Sequence, residues 1–349
     1  MNHKNFRYLV FQQFDIVGNT VCIYFRKKYA PFFGSFRFWA ILLVVLLAMG
    51  GCSPGSKNSG ETHGVTVEED HSYGRAMGIG PIKNREIDEA SGLVVHRGNP
   101  NLLWTHNDSG GEARLFLFQR NGTFRAEYHL QGTTNRDWED IASGPGPQPN
   151  INYLYIGDIG DNYTLYFDYV IYRLKEPADP TESGKGGKSK IVTEVEELRF
   201  VYPDGSHDAE TLFIDPATRD LYIVTRQETQ DRVYRYTYPQ STTTTDTVEF
   251  VGKLPFAQFA GGDLSADGQT LLLKTLPQIF IWRREAGESI AEMLSNKPRE
   301  VVPYGTGPQE EAIAIDPQRH GFYTLSESKG KPVTLYYNPV KSKDKDGDK

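Results

Sequence analysis

The sequence predicts an all-β fold, a β-propeller of five blades closed by an N-terminal strand. Three observations predict it. Apolar alternation fills the body of the chain with almost no helical period, an acid-opened strand unit recurs about every 50 residues, and turn residues divide each unit into short strands. The clearest opening is Glu310 to Pro317, EEAIAIDP, which joins acid, alternating apolar residues and an Asp-Pro turn.

Four relatives of that stretch lie upstream. Glu210-Thr-Leu-Phe-Ile-Asp-Pro nearly repeats it, and Gly262-Asp263-Leu-Ser-Ala-Asp-Gly keeps the acid and the turn. Trp138-Glu139-Asp140-Ile-Ala and Glu89-Ala-Ser-Gly-Leu-Val-Val keep the acid and the strand. The intervals from Glu89 to Glu139, Glu210, Asp263 and Glu311 are 50, 71, 53 and 48 residues. Only the second is long, and its surplus is expected in a Pro/Gly/Ser loop, Glu176 to Ser189, outside a blade. If that surplus hid a further blade the count would be six, and a stacked β-sandwich is the rival architecture.

Each unit supplies its own strands. Leu102 to Thr105, Arg114 to Phe118 and Arg125 to Leu130 follow Glu89; Tyr153 to Ile156, Val170 to Leu174 and Glu197 to Val201 follow Glu139. After Glu210 come Thr211 to Ile214, Leu221 to Thr225, Arg232 to Tyr238 and Thr247 to Val251. After Asp263 come Thr270 to Lys274, Gln278 to Trp282 and Glu300 to Tyr304, with one short helical stretch between Glu288 and Asn296. The last unit offers Ala312 to Ile315, Phe322 to Leu325 and Val333 to Tyr337 and lacks a fourth strand. A strand within Met77 to Ile87 is expected to supply it, which leaves no open sheet edge.

The ends read differently from the body. Phe38 to Met49, FWAILLVVLLAM, is an apolar run preceded by Arg37 and by Arg26-Lys27-Lys28, and followed by Gly50-Gly51-Cys52. This is the layout of a secretory signal, too short for a spanning helix. The small residues before Cys52 resemble a bacterial lipobox, with Met49 in place of the commoner Leu. Residues 1–51 are therefore expected to be a signal sequence, with an over-extended start, and Cys52 to carry the lipid. Residues 52–76 read as a flexible tether, 77–340 as one propeller domain and 341–349 as a charged tail. With Ser53 next to the cysteine, the resemblance implies the outer membrane of a bacterial envelope, facing the periplasm or the cell surface.

Removing residues 1–51 leaves 32 basic and 44 acidic residues, a net charge of -12. This excludes nucleic acid as the expected partner, because such proteins need a basic face. It suits a chain that holds cations or positively charged partners. Two cysteines, Cys22 and Cys52, make no disulfide framework, and eight histidines stand without the spacing of a zinc site.

Candidate chemistry gathers at the openings of the units. Glu89, Glu139, Asp140, Glu210, Asp263 and Glu311 are expected around the channel, where clustered like charges need a cation or must protonate. Ca²⁺, with six to eight oxygen ligands, is the expected ion. The plain alternative is that these acids bond backbone amides of the neighbouring blade. The second strands end in polar residues too, and Asn107-Asp108-Ser-Gly-Gly and Gly157-Asp158-Ile-Gly-Asp161-Asn162 are the richest ends. Asp108, Asp158 and Asp161 join the metal candidates. His106, Asp158, Arg226 and Lys274 are the catalytic candidates, since they are expected to meet the acids at one mouth and to hold a small anionic group there.

Glu89-Ala-Ser-Gly-Leu, Asn107-Asp108-Ser-Gly, Asp137-Trp-Glu-Asp140-Ile-Ala and Gly157-Asp158-Ile-Gly-Asp161-Asn162 together resemble the SdiA-regulated and TolB-like families of bacterial secreted propellers. The resemblance spans roughly residues 85 to 330 and implies a propeller with calcium in or near its channel. Three functions follow as expectations. The first is a lipid-anchored extracytoplasmic propeller binding a ligand or an envelope partner. The alternatives are a Ca²⁺-dependent hydrolase of phosphoesters, with His106 or Asp158 as base and Lys274 or Arg226 stabilising charge, and a structural subunit of an envelope complex. No familiar nucleophile motif is present.

Overall fold

The computed structural model describes residues 72–179, 188–227, 229–304, 312–318, 321–325 and 333–341, together with two strands nearer the N-terminus. Those two, Leu9–Val17 and Thr20–Lys28, pair antiparallel in a compact unit of their own, Met1–His63. The apolar run Phe38 to Met49, the lipobox, Cys52, Glu310, Glu311 and residues 342–349 lie outside the described residues. Among the described residues no helix is long and apolar enough to cross a membrane.

Five small sheets form a five-bladed β-propeller. The inner strands are Ala90–Val95, Trp138–Pro145, Ala209–Ile214, Gly261–Leu264 and Ile313–Ile315, and each pairs antiparallel with the strand that follows it. Each thus opens its blade beside the channel, as its acid-led sequence predicts. Faces of adjacent sheets pack on one another through aliphatic and aromatic side chains. Trp104, Leu115 and Tyr128 of the first blade meet Trp138, Ile156 and Tyr172 of the second in one cluster. Trp104, Trp138 and Trp282 are fully buried, and each such side chain contributes about 2–3 kcal/mol through removal of its surface from water.

The Asp-Pro turns have a specific use. Asp215 Oδ1 accepts from the Ala217 amide at 3.0 Å, and Asp316 Oδ1 accepts from Gln318 at 3.0 Å, so each acid folds its own turn. Each also faces the next blade: Arg284 lies 3.1 Å from Asp215, and Arg120 of the first blade lies 3.4 Å from Asp316 of the last. One turn residue therefore ends the inner strand and fastens neighbouring blades.

Closure follows the expected route. Met77–Pro81 pairs antiparallel with Thr334–Pro339 and completes the last blade. Ordered packing begins ahead of the expected boundary at Met77: Tyr73 bridges to Val340 and packs on Phe322, 5.1 Å between ring centroids. A buried aromatic extends the domain into what reads as tether.

Two further strands correct the predicted layout. Lys188–Val192, the end of the surplus in the long second unit, runs parallel to Phe124–Leu130 and extends the first blade. Thr247, read from sequence as the start of the third blade's outer strand, instead belongs with Asp246 to a short strand that pairs parallel with Phe200–Val201 of the second blade, and the third blade is finished by Glu249–Lys253. In both cases an exposed outer edge gains backbone bonds from a later segment, which alternation alone does not announce. The short helix Ile290–Ser295 lies within the predicted stretch, opened by a capping box between Ser289 and Glu292.

Candidate functional site

Register places the starts of the inner strands and the ends of the second strands at one mouth. Ala90 pairs with Asn107, Trp138 with Asp158, Ala209 with Thr225 and Gly261 with Lys274. The predicted acids nevertheless occupy different levels. In the second and third blades a bulge inserts Glu139 and Glu210 as extra residues, whereas the fourth blade opens on Gly261 and Gly262 without a bulge, and Asp263 lies a step deeper. The expected single ring is thereby split.

Asp140 and Asp263 are engaged by backbone amides. Asp140 Oδ1 accepts from Ile141 at 2.8 Å, and Oδ2 accepts from Leu212 at 3.0 Å and Gly262 at 3.2 Å. One carboxylate thus ties the inner strands of three blades, using amides that the edge strands leave unpaired. Burial pushes its pKa well up, and the three amides oppose that rise. Asp263 Oδ2 accepts from Ile315 at 2.8 Å and binds the fourth blade to the fifth in the same way.

The acids that do converge are Asp108, Asp137 and Glu139, each offering a carboxylate oxygen within 4.8 Å of the others. Asn135 sets this geometry. Its side-chain amide donates to the carbonyls of Asn107 at 3.2 Å and Asp108 at 2.6 Å, while its oxygen accepts from the Trp138 amide at 3.1 Å. The turn of the first blade is thereby held against the inner strand of the second. Gly160 packs against the group, where a Cβ would collide with Glu139 Oε1 and the Asp137 carboxylate. Burial, with the carboxylates of Asp108, Asp208 and Asp158, raises Asp137 to about 6.

The remaining predicted residues surround this group without all entering it. Asp158 Oδ1 accepts from the Asp137 amide at 2.7 Å and has Arg136 Nε at 4.0 Å. Asp161 accepts from Leu165 at 2.8 Å, Tyr166 at 3.0 Å and the Tyr169 hydroxyl at 2.9 Å, which folds the loop of the second blade. Glu210 pairs with Arg226 at 2.9 Å. The Glu89 carbonyl accepts from the Asp108 amide at 2.8 Å.

His106 and Lys274 lie below the mouth surface. His106 is fully buried, edge-on to Trp138 at 5.6 Å, with Nδ1 donating to the Asn107 carbonyl at 3.0 Å. Burial lowers its pKa to about 4. Its Nε2 lies so close to Gly92 that a Cβ there would approach within 2.5 Å, so the position demands glycine. Lys274 is likewise fully buried, donating to the Thr275 carbonyl at 3.1 Å and lying 4.9 Å from the Tyr304 ring.

Asn135, Arg136, Asp137 and Asp208 complete the mouth, and sequence reading does not single them out as site residues. Their signal is position, as Asn135-Arg136-Asp137 and Asp208 each directly precede a bulged inner strand. The rim adds a feature of a different kind: Tyr163, Leu165 and Phe167 are 69%, 69% and 92% exposed. The loop beneath them is fixed, because Asp161 holds its backbone, Arg136 stacks 3.9 Å from the Tyr166 ring and Ser206 Oγ donates to the Tyr166 carbonyl at 2.6 Å.

No protein-family model matches the chain, and no curated protein matches it in sequence. Among solved structures it is similar to the β-propeller domain of Cps50 (Swd1) from Myceliophteria thermophila, at 11% identity and a TM-score of 0.38 over 75% of this chain and 99% of that one. It is similar to an auxiliary nutrient binding protein from Bacteroides thetaiotaomicron, at 11% identity and a TM-score of 0.42 over 76% and 72%. It is also similar to hydrazine synthase from Kuenenia stuttgartiensis, at 10% identity and a TM-score of 0.37 over 72% of each. These likenesses concern the propeller fold and carry nothing about the mouth.

Proposed function

We propose that the chain is a lipid-anchored propeller of the bacterial envelope that binds a partner at this mouth, with Ca²⁺ held by Asp108, Asp137 and Glu139. The observation that carries the reading is the convergence of these three carboxylates beside a fixed loop bearing three exposed apolar side chains. Three carboxylates leave a hard cation of six to eight ligands with open positions. An anionic group on the partner would fill them, and an apolar segment next to it would rest on Tyr163, Leu165 and Phe167.

The rest of the reading is drawn from sequence. The basic, apolar and small-residue order up to Cys52 supports a secreted lipoprotein, and the resemblance to SdiA-regulated and TolB-like propellers supports an extracytoplasmic place, which the outer membrane would provide. Hydrolysis is the weaker reading, because His106 and Lys274 are buried and Arg226 is paired with Glu210. A base and a charge stabiliser must reach the reacting atoms.

The test is thermal unfolding of the purified full chain after chelation and after calcium is restored. A ligand of the native state raises its stability by mass action, so the midpoint is expected to fall on chelation and to recover on calcium addition. An unchanged midpoint would remove calcium from the account.

A further inference from the structure

The other end of the channel, where the inner strands finish, holds a cavity of about 190 Å³. Val94, Leu264 and Ile315 give it apolar walls, and Arg97, Ser143 and Asp263 bring polar groups to it. Arg97 is firmly placed. Its backbone amide donates to both Glu176 carboxylate oxygens, at 3.1 and 3.2 Å, and its Nη2 donates to the Ser143 carbonyl at 2.5 Å.

The Ser143 carbonyl thereby fixes the Arg97 guanidinium beside the cavity. Asp263 Oδ2 accepts from the Ile315 amide, and the Leu264 amide also bonds this carboxylate. Burial raises its pKa to about 6, against the pull of Arg97, so it is charged at neutral pH. Opposite charges therefore face one small, partly apolar space.

We propose that this cavity is a second binding site, taking a small aliphatic zwitterion with its carboxylate on Arg97, its ammonium on Asp263 and its carbon chain against Val94, Leu264 and Ile315. The assignment does not rest on the mouth or on calcium. An α-amino acid with an aliphatic side chain has this chemistry.

Three probes separate the contributions: L-leucine, 2-hydroxy-4-methylpentanoate, which lacks the ammonium, and 3-methylbutylamine, which lacks the carboxylate. Calorimetric titration of the full chain is expected to show saturable leucine binding, with each of the other two about tenfold weaker or more. Arg97→Gln should weaken leucine by a similar factor, and binding should decline below pH 6 as Asp263 takes up a proton. Should Arg97→Gln fail to fold, Asp263→Asn serves instead, since its amide oxygen can still accept from Ile315 while the charge for the ammonium is lost, and it is expected to bind leucine severalfold more weakly. Absence of saturable leucine binding at millimolar concentration would overturn the proposal. So would equal binding of the three probes, or leucine binding unchanged in the variant that folds.

Discussion

The mouth and the far end of the channel are edges of the same five inner strands, yet they carry different chemistry. Asp108, Asp137 and Glu139 stand together at the mouth with Asp158 and Asp208 near them, while the far end sets one arginine against one aspartate. The difference comes from the backbone. Bulges in the second and third blades push Glu139 and Glu210 toward the mouth, and cross-blade bonds from Asn135 draw the first blade's turn onto Glu139. Between the two ends Asp140 joins three inner strands through their amides. A residue that reads in sequence as one more channel acid is a tie between blades.

Removing that tie should have the largest effect. Asp140→Ala leaves amides of three blades without acceptors, and the expected loss is about 4 kcal/mol, read as a lower midpoint in denaturant unfolding. If the loss is under about 1 kcal/mol, the central tie is not what separates the two ends.

A smaller effect is expected from pH. Asp137 has its folded-state pKa raised to about 6, so the folded chain binds the proton more tightly than the unfolded one. Its contribution is favourable below about pH 4 and is lost as pH rises to about 6. Asp137→Asn should therefore match the parent at pH 4 and exceed it at pH 7 in chelator, by about 1 kcal/mol for this half-buried group. The parent's remaining decline over that range is expected from Asp231 and Asp263, both raised to about 6 as well. Melting curves against pH for parent and variant check the sign. A variant less stable than the parent at pH 7 in chelator would mean that Asp137 is stabilising as an anion without a cation.

Phe167→Ser should change stability least, by under about 0.5 kcal/mol, because the side chain is almost wholly in solvent. If the rim is a docking surface, the same variant should lose co-purification of a bound partner. Retention of the partner at parental level would confine recognition to the acids.

Much of this was legible in the sequence, and for identifiable reasons. Period-two alternation and Asp-Pro turns such as Asp215-Pro216 mark strands and their ends locally, so five blades and the closing strand could be read from them. The strand exchange of Lys188–Val192 and Asp246–Thr247 was not legible, because partners distant in sequence decide it. Asp108, Glu139 and Asp158 are legible from their positions at strand starts and ends. Sequence did not separate Asp140 from Glu139, since a bulge between Trp138 and Asp140 sends adjacent acids to different work. His106 and Lys274 end a strand like the others, and only packing reveals that Trp138 and Tyr304 cover them.

The most direct test of calcium at the mouth is a crystal structure grown with calcium in excess. Density for an ion at about 2.3–2.6 Å from oxygens of Asp108, Asp137 and Glu139 is the predicted result. Water alone among these three carboxylates, at millimolar calcium, would contradict it.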